Sequence, residues 1–162
     1  MATLTNCQFL KISAGGKEIE GYSEDDGYKN YIEGYSMGTL AGYKGLDGYD
    51  FEPVSARILV KSQPVAELFG SFLDTDTRSF DITIVHRTNS KNGSFEHKTC
   101  DYFNCTIESM SIVAMEDGNT FYDLSFSFKS MKVEFQIPQE GEGASPKKVG
   151  PFAYNLIKSK FE

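Results

Sequence analysis

Tryptophan is absent from this 162-residue chain, and only three cysteines and two histidines are present. Cys7, Cys100 and Cys105 form an odd set without CxxC spacing, which argues against a disulfide framework and for folding in a reducing cytosol. No run of 18 apolar residues occurs, and the start lacks a basic segment followed by an apolar stretch. We therefore expect neither a membrane span nor a classical signal peptide.

Positive charge is also in deficit. The chain has 16 Lys and Arg against 23 Asp and Glu, a formal net charge of −7, and no long basic cluster. Such a field repels the phosphate backbone, so we expect no nucleic-acid partner. A chain of 162 residues can bury most of its apolar surface in one core, and we expect a single domain over 1–162.

Aromatic residues are abundant, with 13 Phe and 9 Tyr, and their short alternating runs predict a mainly β fold. The strongest run lies between Thr120 and Ile137, where apolar residues occupy even positions up to Phe128 and odd positions from Met131. Because strand side chains alternate between faces, the change predicts a bulge or bend near Lys129 and Ser130. The alternating apolar residues are Leu124, Phe126 and Phe128, then Met131, Val133, Phe135 and Ile137.

The preceding stretch shows the same change of face. Its apolar residues are Phe103, Cys105 and Ile107, then Met110, Ile112 and Ala114, with a switch near Glu108 and Ser109. A turn over 116–119 joins the two stretches. Two such neighbours are typical of strands that pass between the two sheets of a barrel or sandwich. Alternatively, one half of each strand faces a partner subunit.

One segment has helical spacing. Ser62 is placed to cap a helix, Pro64 suits its first turn, and apolar residues follow at intervals of three and four. This pattern predicts one short helix lying on the barrel. The residues predicted to pack it are Val65, Leu68, Phe69 and Phe72.

Further strands are predicted at Pro53–Lys61 and at Phe80–Thr88, the second leading through a hairpin at Asn92-Gly93 into Ser94–Tyr102. Glycine punctuation predicts a long protruding loop at Leu40–Asp50. A mobile stretch is expected at 138–150, before a short edge strand at Pro151–Phe161.

Candidate sites were weighed against structural roles. Residues 22–33 mimic a calcium loop, but Tyr22 occupies the first ligand position, so we assign no calcium site. His86 and His97 flank a predicted hairpin and could face one another with Cys100 nearby, yet exposed cross-strand pairing is the favoured interpretation. No nucleophile elbow, HExxH motif or P-loop is present. We expect no catalytic residue, metal or cofactor.

The order of these elements resembles the Hcp (haemolysin co-regulated protein) family of type VI secretion tube proteins. Five segments, read straight from the sequence, carry the resemblance. They are KNYIEGYSMG at 29–38, ARILVKSQPVAELF at 56–69, YFNCTIESMSIVAMEDG at 102–118, YDLSFSFKSMKVEF at 122–135 and GPFAYNLIKSK at 150–160.

The resemblance implies a two-sheet β-barrel with a flanking helix that assembles into hexameric rings, stacked into a hollow tube. The tube would be expelled from the cell by a contracting sheath, acting with spike and baseplate proteins, and its lumen could hold effector proteins. Such a protein is not an enzyme. It is made in the cytoplasm and secreted without a signal peptide. The loop at 40–50 would then stack the rings, with Tyr43, Leu46 and Tyr49 as anchors.

Two other interpretations are also compatible with the sequence. A tail-tube protein of a phage-type injection particle shares the barrel and ring arrangement. A free-standing barrel that binds a small ligand would instead be a monomer with an apolar cavity.

Overall fold

The computed structural model describes residues 8–25, 27–35, 40–46, 48–74, 79–90, 93–141, 145–157 and 160–161, with the backbone alone at 88–90, 93–96 and 160–161. One helix and twelve strands lie in these ranges. In chain order they are β1 Gln8–Ala14, β2 Lys17–Glu18, β3 Ile32–Tyr35, β4 Gly42–Gly45, β5 Gly48–Phe51, β6 Val54–Leu59, α1 Gln63–Leu73, β7 Phe80–Ser90, β8 Gly93–Ala114, β9 Thr120–Ser127, β10 Ser130–Ile137, β11 Lys147–Asn155 and β12 Lys160–Phe161.

Six strands form a closed barrel. They follow one another in the order β8, β7, β1, β3, β6 and β9, and β9 pairs again with β8. A mainly β fold with one flanking helix is thereby confirmed. Strands β10, β11 and β12 extend the sheet from the N-terminal half of β8, where β10 pairs with residues 98–103, and we call these three strands the flap. Strands β4 and β5 form a separate two-stranded sheet.

The barrel interior is packed with apolar side chains. Alternate residues of each barrel strand point inward, as the predicted period of two requires. Leu124 and Phe126 of β9 are buried as predicted, and so is Phe128 beyond the strand end. The side chains that are completely buried include Leu10, Ile12, Ile32, Val54, Ile58, Cys105 and Phe126.

The changes of face in β8 and β9–β10 have different structural forms. Strand β8 runs unbroken for 22 residues and carries a bulge between Ile107 and Ser109, where the predicted switch lies. The second switch is a break between β9 and β10 at Phe128 and Lys129, also as predicted. Just beyond the two switches, Met110 is buried and Met131 and Val133 pack partly against the core, whereas Ile112 and Ile137 further along are 57% and 39% exposed.

Phe103 departs from the predicted pattern. The alternation predicts that it shares a face with Cys105 and Ile107, but those two are buried whereas Phe103 is 36% exposed. A second bulge explains the difference, because Cys105 pairs with Phe80 while Tyr102 pairs with Ile82. Asn104 lies in that bulge with a φ of 52°, which turns Phe103 to the outer face.

Helix α1 begins and packs as its sequence indicates. The Ser62 hydroxyl accepts a hydrogen bond from the Val65 amide at 3.4 Å, with Pro64 in the first turn. Val65 and Leu68 are buried, and Phe69 and Phe72 are partly buried against the core. Within the described ranges, no helix is long and apolar enough to cross a membrane.

Two segments predicted to be irregular contain strands. The stretch 40–50 holds most of the β4–β5 hairpin, in which Tyr43 pairs with Asp50 and Lys44 with Tyr49. Strand β11 begins at Lys147, earlier than predicted, and pairs with β10 along its length. Backbone hydrogen bonds to a neighbouring strand override the local glycine and proline signals in both cases. Residues 36–38, the end of the segment KNYIEGYSMG, lie outside the described ranges.

The segment between β2 and β3 folds over the outside of the barrel. Gly21 and Asn30 close it through an amide-to-carbonyl hydrogen bond of 2.8 Å. A side chain at Gly21 would clash with the Tyr31 carbonyl oxygen, 2.4 Å from the added Cβ. The segment brings Tyr28 onto Phe9 in a stacked contact with ring centroids 4.6 Å apart. It thus covers a small second apolar cluster outside the main core.

Candidate assembly surfaces

The β4–β5 hairpin projects the residues predicted to stack rings. Tyr43 and Tyr49 are 52% and 48% exposed, and Leu46 at the turn is fully exposed. Asp47 lies outside the described ranges. Glycine shapes the hairpin, since a Cβ at Gly42 would lie only 2.7 Å from the Phe51 ring. A fully exposed leucine at the tip of a projecting hairpin is a side chain available to a neighbouring molecule.

The base of the hairpin is fixed to the flap. The Tyr49 amide donates a hydrogen bond of 3.2 Å to the Tyr154 hydroxyl, and the two rings meet edge to face with centroids 5.4 Å apart. Phe51 packs against Phe128 and Tyr154. The position of the hairpin is thereby set by side chains of β11 and the β9–β10 bend, so its tip is held at a defined place.

A hydrogen bond joins Tyr43 of β4 to Glu52, which lies in the connection between β5 and β6. The Tyr43 hydroxyl donates to a carboxylate oxygen of Glu52. That hydrogen bond raises the pKa of Tyr43. The contact between Tyr49 and Tyr154 cannot be predicted from sequence, because the two residues are 105 positions apart and no local pattern joins them. The hydrogen bond from Tyr43 to Glu52 likewise has no local sequence signal.

The flap presents a second apolar surface. On one face, Val133 of β10 pairs with Phe152 of β11, and Phe135 with Val149. Phe152 is 41% exposed, and Ile137 is 39% exposed at the end of β10. Val133 packs partly against the core. The apolar face of the flap therefore continues beyond the barrel, as the second half of the β9–β10 pattern requires.

The part of β11 before its short pairing with β12 carries features that oppose strand addition. Lys147 and Lys148 open β11, and Pro151, which has no amide hydrogen to donate, lies in its middle. Lysines and prolines on an edge strand disfavour pairing with another strand. Contacts of the flap with another molecule are therefore expected through its apolar face rather than through its edge.

A third exposed apolar surface lies where β8 and β9 meet their connecting turn. Ile112, opposite Tyr122 in the pairing, is 57% exposed, and Met115 is 42% exposed. On the neighbouring strand, the Tyr122 hydroxyl donates to the Ala66 carbonyl oxygen of α1 at 2.8 Å. Helix α1 thus packs beside this end of the barrel and leaves Ile112 open to solvent.

The histidines and cysteines form no reactive site in the described structure. His86 pairs with Lys98, and a bulge leaves His97 without a cross-strand partner, so the two imidazoles are not opposite one another. Burial raises the pKa of Cys100, and burial together with the charge of Asp81 raises the pKa of Cys105 to about 12. Buried thiols of this kind are poor nucleophiles and poor metal ligands.

Among the residues that the structure describes, no three His, Cys, Asp or Glu side chains are grouped to hold a metal ion. Of the calcium-like loop, Asp26 lies outside these residues. The neighbouring Asp25 instead binds the Arg87 guanidinium with two hydrogen bonds of 2.7 and 2.9 Å.

No protein-family model matches the sequence, and no curated protein sequence matches it. Solved structures do match, over nearly the whole chain. A structure described as a type six secretion system protein aligns with a TM-score of 0.72 and 17% identity, covering 95% of this chain and 99% of that one. Hcp1 from Salmonella typhimurium aligns with a TM-score of 0.67 and 16% identity, over 96% and 99% of the two chains. The chain has the Hcp fold.

A further Hcp structure supports the same conclusion. The secreted protein Hcp3 from Pseudomonas aeruginosa aligns with a TM-score of 0.62 and 11% identity, covering 93% of this chain and 98% of that one. Three of the exposed apolar surfaces in the described part of the chain are the hairpin tip, the flap face and the β8–β9 turn.

Proposed function

We propose that this chain is the ring-forming subunit of the inner tube of a type VI secretion system. The observation that carries the proposal is the near-complete alignment with several Hcp structures, at 93% or more of this chain for the three named above. This extent matters because a shared barrel alone supports many functions. Here the alignments span nearly the whole chain and nearly the whole of each Hcp chain.

The surface of the chain supports a subunit role. A closed barrel has no free edges of its own, yet large apolar side chains remain in solvent at Leu46, Ile112 and Phe152. Exposed apolar side chains of this size, present on three parts of the molecule, are typical of a protein that contacts other proteins. The barrel interior is filled with buried side chains, which disfavours the alternative of a monomeric ligand-binding barrel.

The hairpin is proposed to contact the adjacent ring. Tyr43, Leu46 and Tyr49 are exposed, and the base of the hairpin is fixed by Tyr154 and Phe51. A rigid base with an exposed apolar tip lowers the entropic cost of docking. The hexameric state, transport of effectors in the lumen, expulsion from the cell without a signal peptide, and contacts with sheath, spike and baseplate proteins all belong to this proposal. It involves no enzymatic activity.

The native mass of the purified protein tests the proposal. We expect light scattering to give a mass near six times the 18.1 kDa of one chain. A monomer that persists at high protein concentration would contradict the tube function and favour the ligand-binding barrel. Genes for a sheath and baseplate beside this one would be expected for a secretion system, and capsid genes for a phage-type tail.

A further inference from the structure

The two ends of β8 carry exposed surfaces of opposite charge. Near its C-terminal end lies the acidic patch, which we define as Ile112, Met115, Glu116 and Asp117. Ile112 and Met115 are 57% and 42% exposed, and both acidic residues are exposed in the turn that follows. From residue 99 to residue 128 the chain has five acidic residues and no Lys or Arg.

At the other end lies the basic strip, defined as Phe135, Ile137 and Phe152 with Lys98 and Lys147. Strand pairing places Lys98 opposite Phe135, and Lys147 opposite Ile137. Because directly opposed residues share one face of a sheet, the two lysines flank the apolar side chains. Lys147 is exposed, and no ion pair of the described residues involves it or Glu116.

The two surfaces lie at opposite ends of one long strand. Lys98 and Met115 lie 17 positions apart on or just beyond one continuous strand. At about 3.3 Å per residue this separation is about 55 Å along the strand. Each defined surface combines exposed apolar side chains with charged side chains, acidic in the patch and basic in the strip, and Glu116 and Lys147 form no ion pair among the described residues.

We propose that the acidic patch of one copy binds the basic strip of the next copy. The contact is head to tail, because it joins two different surfaces, and such a contact generates a closed ring or a continuous stack. Apolar burial by Ile112 and Phe152 would supply affinity, while Glu116 and Lys147 would fix which ends meet. This inference rests on the proposed tube function and names the surfaces through which copies join.

Charge reversal and charge exchange test the contact. Glu116→Lys and Lys147→Glu alter exposed side chains, so neither is expected to disturb the core. Each alone places like charges together, and we expect it to raise the concentration needed for assembly about tenfold or more. The double variant Glu116→Lys/Lys147→Glu restores opposite charges in the contact, and we expect assembly to recover. Glu24→Lys and Lys29→Glu are matched exposed controls and should assemble as the wild type does.

The readout is the weight-average mass by light scattering over a range of protein concentrations, with circular dichroism to establish that each variant is folded. If the wild type assembles and both single reversals assemble equally well, the contact is wrong. A double variant as impaired as both single changes combined also contradicts it. A wild type that stays monomeric would instead overturn the tube function itself, so the two failures are distinguishable.

Discussion

His86 and Arg87, adjacent residues of β7, are two partly buried side chains that can carry positive charge. The Arg87 guanidinium lies over the rings of Phe9 and Tyr28, at 5.1 and 5.6 Å, and pairs with Asp25. Aromatic faces and a carboxylate together compensate for lost hydration. His86 has no such compensation at Nδ1, which is buried without a hydrogen-bond partner among the described atoms.

His86 is predicted to make the fold sensitive to acid. Burial, with the charges of Lys98 and His97, lowers its pKa from 6.5 to about 4. Between these pH values the unfolded chain binds a proton that the folded chain does not, so the free energy of unfolding falls as the pH drops from 6.5 to 4. A shift of this size corresponds to about 3 kcal/mol, and partial solvent access reduces the expected effect to about 1 to 2 kcal/mol.

Urea denaturation of the wild type and of His86→Gln at several pH values measures this effect. We expect the variant to lose less stability than the wild type between pH 6.5 and 4. His97→Gln is a suitable control, because His97 is exposed and should leave most of the pH dependence in place. Parallel pH profiles for wild type and His86→Gln would show that His86 does not couple protonation to folding.

At the scale of elements, the sequence predicted what depends on local periodicity. The helix at Gln63–Leu73 and the strand at Phe80–Ser90 follow from apolar spacing, capping and turn residues. The face switch near Glu108 follows from the change in alternation. Phe103 was misplaced because the nearby bulge depends on Asn104 and its hydrogen bond from the backbone amide to Asp81, a contact between strands.

The position of the β4–β5 hairpin could be predicted from sequence, but its strand pairing and its contacts could not. Its glycines predicted a projection at 40–50, whereas its strand pairing and its attachment to Tyr154 depend on residues distant in the chain. Of the flap, alternation predicted β10, but β11 was predicted only from Pro151 onward, four residues after its start at Lys147. Assembly surfaces are harder still to predict, since an exposed Ile112 looks like a core residue when only alternation is available.

The hairpin tip gives a prediction at this scale. Leu46→Asn replaces a fully exposed apolar side chain with a polar one of similar size and should not affect folding. We expect rings to form as in the wild type but to stack into shorter tubes, because the apolar contact at the tip is lost. Leu73→Asn, at an exposed position ending α1, is the matched control. Tube lengths by electron microscopy equal to those of the wild type would contradict a stacking role for Leu46.

On the scale of the whole molecule, the arrangement is a filled and closed barrel with apolar surfaces outside it. Closure through the β8–β9 pairing leaves no barrel edge to join copies. The lysines and proline of β11 protect the edge of the flap. Association is therefore expected through side-chain surfaces, namely the hairpin tip, the flap face and the β8–β9 turn.

The symmetry of the purified particles tests the central claim most directly. Class averages from negatively stained electron micrographs should show rings with six-fold symmetry and a hollow centre, some of them stacked along the ring axis. Uniform compact particles of single-chain size, without a central hole, would contradict the account of this chain as a tube subunit.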